Sequence, residues 1–286
     1  MSTVGSRALS VAKVDFLNVR RAKLVWGPVV LYTIFMFLFF WGQSNADSPD
    51  FYAVLWGLIG IGGVLVVPLI ALVAAYLSIA GEVESGSITY SLGLPVSRGE
   101  FVAGKFLSRA GVVVVGIVVS FLLGILAGFV FVPGMEFEYG DYALFVAVTS
   151  LYGLAYVSVA LAISAMTASR SRAMSGAIGF FFLFNIVWNF LPVGPVQMLE
   201  FLGDQFDVEF SDSFLELVFS LSPTGAYLNS SQLLIPDRFL QTVGGAASSP
   251  SDPFYIQGWF MLVIMAGWVV VPMLVGYWRF RTAQLG

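Results

Sequence analysis

The sequence predicts an all-α integral membrane protein: six transmembrane helices, both termini in the cytoplasm, a polar elbow joining spans 2 and 3, and a long outer section between spans 5 and 6. Three observations carry this. The 286 residues are 58% hydrophobic and 10% charged, against about 25% charged in a typical soluble domain, and mean hydropathy is +0.90. Six apolar stretches, charged only at Arg109 in the first turn of the third, are each about long enough to cross the hydrocarbon core of a bilayer. Counting six spans also sorts the charges. Of the 13 Lys and Arg, only Arg238 lies opposite the termini, and the only acids on the terminus side are Asp15, Glu82, Glu84 and Glu100. Basic loops stay in the cytoplasm, so that side is the inner one; a miscount by one span would scatter the arginines over both faces.

Residues 1–23 carry Arg7, Lys13, Arg20, Arg21 and Lys23 against Asp15. Val11, Val14, Phe16 and Val19 recur at near-helical spacing, which suits an amphipathic helix on the membrane surface; a plain basic anchor for the next span is the alternative. The first span, 24–41, reads as retained, because its charged lead is long and its apolar stretch exceeds the usual core of a cleaved signal. The second, 55–79, contains Pro68, which frees a carbonyl and kinks a helix unless neighbours compensate. The elbow, 80–105, is too short for a domain, too rich in Gly, Ser and Pro for one long helix, and fixed to a span at each end. In the third span, 106–132, Gly116, Ser120, Gly124 and Gly128 repeat every fourth residue. Such a ladder lets another helix approach closely, within the chain or in a second copy. The fourth and fifth spans, 143–166 and 174–191, flank a basic turn at 167–173, and the sixth is 258–278. In the outer section, 192–257, Ser211-Asp212-Ser213 before an apolar run resembles a helix start that Ser222-Pro223 then ends.

Cysteine and histidine are both absent, which excludes disulfides, thiolate sites and the commonest general base and metal ligand. No catalytic residue, metal or cofactor is expected. The net charge of −4 speaks against a nucleic-acid partner, and the acid-rich loops suit a salt-rich exterior. Residues 99–105 match the GxxxxGK skeleton of a phosphate-binding loop, but Phe106 stands where a Ser or Thr should hold magnesium and no buried strand precedes it. Snorkelling at a membrane boundary accounts for Lys105 instead. Asn229-Ser230-Ser231 is a glycosylation sequon on the outer side. No span interior holds an ionisable group, which argues against a proton-coupled carrier or ion channel. Tyr152, Tyr156, Asn185 and Asn189 are candidates to line a pathway, an interhelical hydrogen bond being the plainer role of each.

Glu82 followed by Gly86-Ser87-Ile88, then Leu94-Pro95-Val96-Ser97-Arg98, then Gly104-Lys105 at the mouth of a span, resembles the type-2 ABC transporter permease family, with Gly93 where that family's phrase has a serine or threonine. Ser222-Pro223-Thr224-Gly225-Ala226-Tyr227 is similar to its S-P-x-x-x-Y segment, and Tyr277-Trp278-Arg279-Phe280-Arg281 to its F-x-R tail. Length and layout resemble the permeases of nitrous-oxide reductase maturation systems. The resemblance implies a multi-pass subunit of the cell membrane, paired as a homodimer or with a second permease, with a separate ABC-type ATPase docked on each cytoplasmic face. It implies a coupling helix in the elbow, with Glu82, Glu84, Gly86, Ser87, Tyr90, Pro95, Ser97, Arg98 and Lys105 as the coupling residues, and short re-entrant helices on the outer side. The expected function is ATP-driven transport, in the export direction. A stand-alone secondary carrier or channel, and an accessory protein for assembly of a membrane complex, are the alternatives.

Overall fold

The computed structural model describes residues 4–19, 23–46, 49–93, 96–245, 249 and 252–283, and every regular element among them is helical. In chain order these are α1 (Val4–Val19), α2 (Lys23–Ser44), α3 (Phe51–Gly57), a π-helical segment (Leu58–Val66), α4 (Val67–Ala75), α5 (Ala80–Glu84), α6 (Ile88–Leu92), α7 (Arg98–Phe131), α8 (Tyr139–Met166), α9 (Arg170–Phe181), a second π segment (Phe182–Val187), α10 (Trp188–Phe190), α11 (Pro195–Phe206), α12 (Asp212–Ser220), α13 (Pro223–Asn229), α14 (Asp237–Val243) and α15 (Gly258–Thr282). Among the described residues five helical runs are long and apolar enough to cross a membrane: Phe51–Glu84, Arg98–Phe131, Tyr139–Met166, Arg170–Phe190 and Gly258–Thr282. The 22-residue α2 carries a sixth apolar stretch, Val29–Ser44. Each expected span thus falls on a helix.

The run from Phe51 is the centre of the bundle, with 72% of its most apolar stretch buried; those of the runs from Arg170 and Gly258 are 17% buried and lie at the periphery. The small-residue ladder explains how α7 is placed. A Cβ added at Gly116 would lie 2.8 Å from Val29 Cγ2, and at Gly124 and Gly128 it would run into Met36 and Phe137. Ser120 Oγ donates to Val29 O at 3.2 Å and accepts from Thr33 Oγ1 at 3.1 Å. At Gly116, Ser120 and Gly124 the ladder therefore faces α2 of its own chain.

Pro68 behaves as its chemistry requires. It has no N–H for the carbonyl of Val64, four residues back, and Asn185 of the second π segment supplies the missing donor, Nδ2 to Val64 O at 2.7 Å. The π-helical stretch before Pro68 contains Gly62 and Gly63, whose missing side chains leave room for the rings of Tyr32 and Tyr227.

Three expectations need correction. The third-span helix starts at Arg98 and not at 106, because Ser97 caps it: Ser97 Oγ accepts from Glu100 N at 3.2 Å and Glu100 Oε2 accepts from Ser97 N at 2.7 Å, a capping box. Its 34 residues run about 51 Å at 1.5 Å each, well beyond the roughly 30 Å hydrocarbon core, while its first turns stay buried at Glu100, Phe101, Val102 and Lys105. Among the described side chains of α1, Ala8, Ala12 and Asp15 are buried, Val11 is partly buried and Val14 is exposed; Arg20, Arg21 and the Val19 side chain lie outside the described residues. The sequon is buried at all three positions, with Asn229 Nδ2 donating to Ser220 Oγ at 2.8 Å, so it is closed to a glycosyltransferase. The expected helix start at Ser211 holds, its Oγ accepting from Phe214 N at 3.3 Å, and Ser222 begins the next helix by accepting from Gly225 N at 2.8 Å.

Candidate functional site

The elbow folds as two short helices, α5 and α6, joined at Gly86, whose φ of +74° is a left-handed conformation that costs other residues about 1–2 kcal/mol. A Cβ there would meet nothing within 4 Å, so backbone conformation alone asks for glycine. Ser164 of α8 starts the elbow, its buried Oγ accepting from Ile79 N at 3.0 Å and Ala80 N at 2.9 Å. Glu84 ends α5 and accepts at Oε2 from Arg170 N at 2.6 Å, a carboxylate at the N-terminus of α9, where backbone amides and the helix dipole favour it. Arg170 Nη2 also donates to Gly81 O at 3.4 Å. Ile88 sits with Ile79, Phe101, Val102, Leu161, Ala165 and Phe280 in a small apolar cluster separate from the main core. Ser87 lies inside the joint, its Oγ 2.9 Å from Ser85 Oγ. Glu84, Ser85, Gly86, Thr89 and Tyr90 form the outward face, and Tyr90 is 83% exposed.

Beneath the elbow lies an ion cluster that no short-range pattern signals. Lys105 is 4% exposed and Asp15 7%. Lys105 Nζ contacts Asp15 Oδ1 at 2.6 Å and also pairs with Glu82 of the elbow. Arg109 Nε lies 3.1 Å from Asp15 Oδ2, and its Nη1 donates to Ala74 O, near the end of α4, at 2.9 Å. Snorkelling is therefore the wrong account of Lys105: its charge is satisfied inside the protein. Burial pushes the Asp15 carboxyl up, but Arg109 and Lys105 together outweigh this and hold it below the ordinary carboxylate range. The Ser97 amide and hydroxyl likewise hold Glu100 low.

Arg98 points to the other end of the chain. Its Nη1 donates to Phe280 O, Arg281 O and Ala283 O at 2.8, 3.0 and 2.8 Å, closing the C-terminus of α15 with a cation, as the helix dipole favours. Phe280 stacks on Phe101 with centroids 5.8 Å apart. The Ser97-Arg98 phrase and the aromatic-arginine tail, far apart in sequence, thus meet in space. So α1, the elbow, the start of α7, the α8–α9 turn and the end of α15 all gather at one end of the bundle.

The S-P-x-x-x-Y segment forms α13, which enters the core. Thr224 Oγ1 lies 2.9 Å from Tyr152 Oη and 2.8 Å from Tyr156 Oη. Tyr227 stacks on Tyr152 with centroids 4.2 Å apart and planes 7° apart. Asn189 Nδ2 donates to Phe184 O at 2.9 Å, and its Oδ1 accepts from Ser222 Oγ at 2.9 Å.

A family model described as ABC-2 family transporter protein matches residues 9–285. The chain belongs to the ABC-2 family of transporter proteins. It is the membrane-spanning permease subunit of an ABC transporter, a multi-pass membrane protein whose family implies a separate ATPase partner. Among similar proteins, the probable ABC transporter permease protein NosY of Stutzerimonas stutzeri is 26% identical over 218 residues, 75% of each chain. The protein of the same name from Pseudomonas aeruginosa is 32% identical over 124 residues, 43% of this chain and 45% of its own.

In this permease the expected coupling residues fall into two groups. Tyr90 and Gly86 face outward, as does Glu84 while it holds α9. Glu82, Ser97, Arg98 and Lys105 are engaged in holding the elbow, α7 and α15 together; Pro95 lies outside the described residues. Tyr152, Tyr156 and Asn185 are fully buried and, with Asn189, make interhelical hydrogen bonds. Sequence reasoning missed Asp15 and Arg109, because the partner that explains each lies some ninety residues away. The one available signal was a lone acid in an otherwise basic leader.

Proposed function

We propose that the permease is the exporter subunit of an ATP-driven transporter and that its elbow receives the ATPase at the cytoplasmic side of the cell membrane. The observation that carries this is Tyr90. A large aromatic, 83% exposed, stands among polar neighbours on an element tied to α7, α8 and α9, and such aromatics at protein surfaces are favoured as interface anchors. The gathering of Arg7, Lys13, Arg98, Arg170, Arg172, Arg279 and Arg281 at the same end supports the cytoplasmic assignment for six spans. A push on the elbow would travel as rigid-body tilting of the helices anchored to it. The weakly buried sides of α9 and α15 suit lipid and a second copy of the chain. With the tyrosines of α8 buried, the better candidate for a pathway wall in this state is an apolar cleft of about 300 Å³ between α4 and α9, lined by Leu69, Val73, Tyr76, Ile178 and Phe181.

Co-expression with the nearest encoded ABC-type ATPase tests this reading. Purification should yield two permeases with two ATPases and vanadate-sensitive hydrolysis faster than that of the ATPase alone. A folded permease that purifies by itself, with hydrolysis unaffected by its presence, would reject it.

A further inference from the structure

The ion cluster adds a charged tie between three elements that also pack against one another at one end of the bundle. Asp15 belongs to α1, Glu82 to the elbow, and Lys105 and Arg109 to α7. Both cations touch Asp15, but Lys105 alone of the two also touches Glu82. Three of these four groups are largely or fully buried. In that low-dielectric setting removing one partner leaves an uncompensated charge. The contact around it is close and built from small residues. Ala8 and Ala12 offer little area, and at Gly104 an added Cβ would come within 2.6 Å of Val11 Cβ and 2.8 Å of Ala8 O. A small-residue contact of this kind lets α1 approach α7 and leaves Asp15 to fix its position along and around the helix.

We propose that Asp15, Lys105 and Arg109 are positioning residues for energy coupling: through the shared Lys105 ammonium they lock the N-terminal helix to the elbow, so that α1, the elbow and the start of α7 move as one body. This rests on the reading of the elbow as the ATPase's seat. Its consequence is that α1 is part of the moving machinery, not a passive leader. The cluster also allows two distinct lesions. Lys105→Gln removes the elbow's ion-pair link to α1 while Asp15 keeps Arg109; Asp15→Asn removes α1's side of that link while Lys105 keeps Glu82.

The native chain has no cysteine, so cysteines placed at Lys13 and Ser85, both exposed, carry spin labels on α1 and the elbow alone. Pulsed electron resonance on the full-length permease in nanodiscs should give one narrow distance distribution, which broadens or shifts in K105Q and in D15N and is restored in K105R and D15E. With the ATPase present, the unlabelled K105Q and D15N permeases should bind it as the native chain does yet lose about fivefold or more of its stimulation, the scale of a coupling free energy between sites. Narrow distances in both neutral variants would overturn the proposal, as would full stimulation despite broadened distances. If the ATPase fails to bind the native permease, the functional reading falls, while the distances still decide whether α1 and the elbow are locked.

Discussion

Pro68 and Asn185 show how single residues set the centre of this molecule. Proline was legible as a kink whose freed carbonyl needs a donor; which donor was not, because Asn185 lies on another span and only the fold brings it within 2.7 Å of Val64 O. Interhelical hydrogen bonds in membranes are worth on the order of 1 kcal/mol, so Asn185→Leu should lower stability by about that much. In a Pro68→Ala background, where residue 68 regains its own N–H, the loss should shrink markedly. Thermal unfolding of the four proteins in detergent measures this; equal losses in the two backgrounds would separate Asn185 from the proline. Lys105 carries the opposite lesson. Its position at a span mouth gave the right depth and the wrong partner, since snorkelling is a local argument and the acid that holds it is on α1.

At the scale of elements, the apolar stretches were read where the helices lie, since hydropathy and length decide them. Ser211 and Ser222 were read too, because capping chemistry is local. What escaped was continuity and break: α7 begins eight residues early on the Ser97–Glu100 box, and the second and fifth spans each pass through a π segment whose register depends on neighbouring rings. The glycine ladder was visible as a pattern, but its partner α2 was not. Gly124→Leu would drive a side chain into Met36 and Tyr142, an overpacking that typically costs about 1–3 kcal/mol. It should lower the unfolding temperature in detergent while leaving association between copies unchanged. Loss of self-association at unchanged stability would instead place the ladder at an interface between chains. The attachment of α1 should depend on pH with a definite sign. Asp15, facing Lys105 and Arg109, has its folded value below the unfolded one. Its contribution is therefore complete above about pH 4, the unfolded carboxylate value, and is lost as pH falls through the lower folded value. Proteolysis of α1 should rise in that acidic window for the native chain and be already high at neutral pH in D15N; a pH-independent rate in the native chain would contradict the assignment.

For the whole molecule, the fold brings α1, the elbow and the end of α15, which carry most of the basic residues, to one end of the bundle. Two of the phrases turn out to be spatial neighbours of distant parts of the chain. Ser97-Arg98 meets the aromatic-arginine tail; Glu82 meets Gly104-Lys105; the S-P-x-x-x-Y segment fills the core against α8. Most of those residues hold the scaffold, and the surface left for a partner is small, centred on Tyr90. The most direct measurement is therefore a crosslink from that point. A single cysteine at Tyr90, in a chain that has no other, should carry a short photoreactive label into the ATPase subunit in membranes. The same label at Val208, exposed on the outer section, should not. Capture of the ATPase from position 90 alone is the predicted result. Capture from neither position, with the two subunits still co-purifying, would contradict the elbow as the seat of the ATPase.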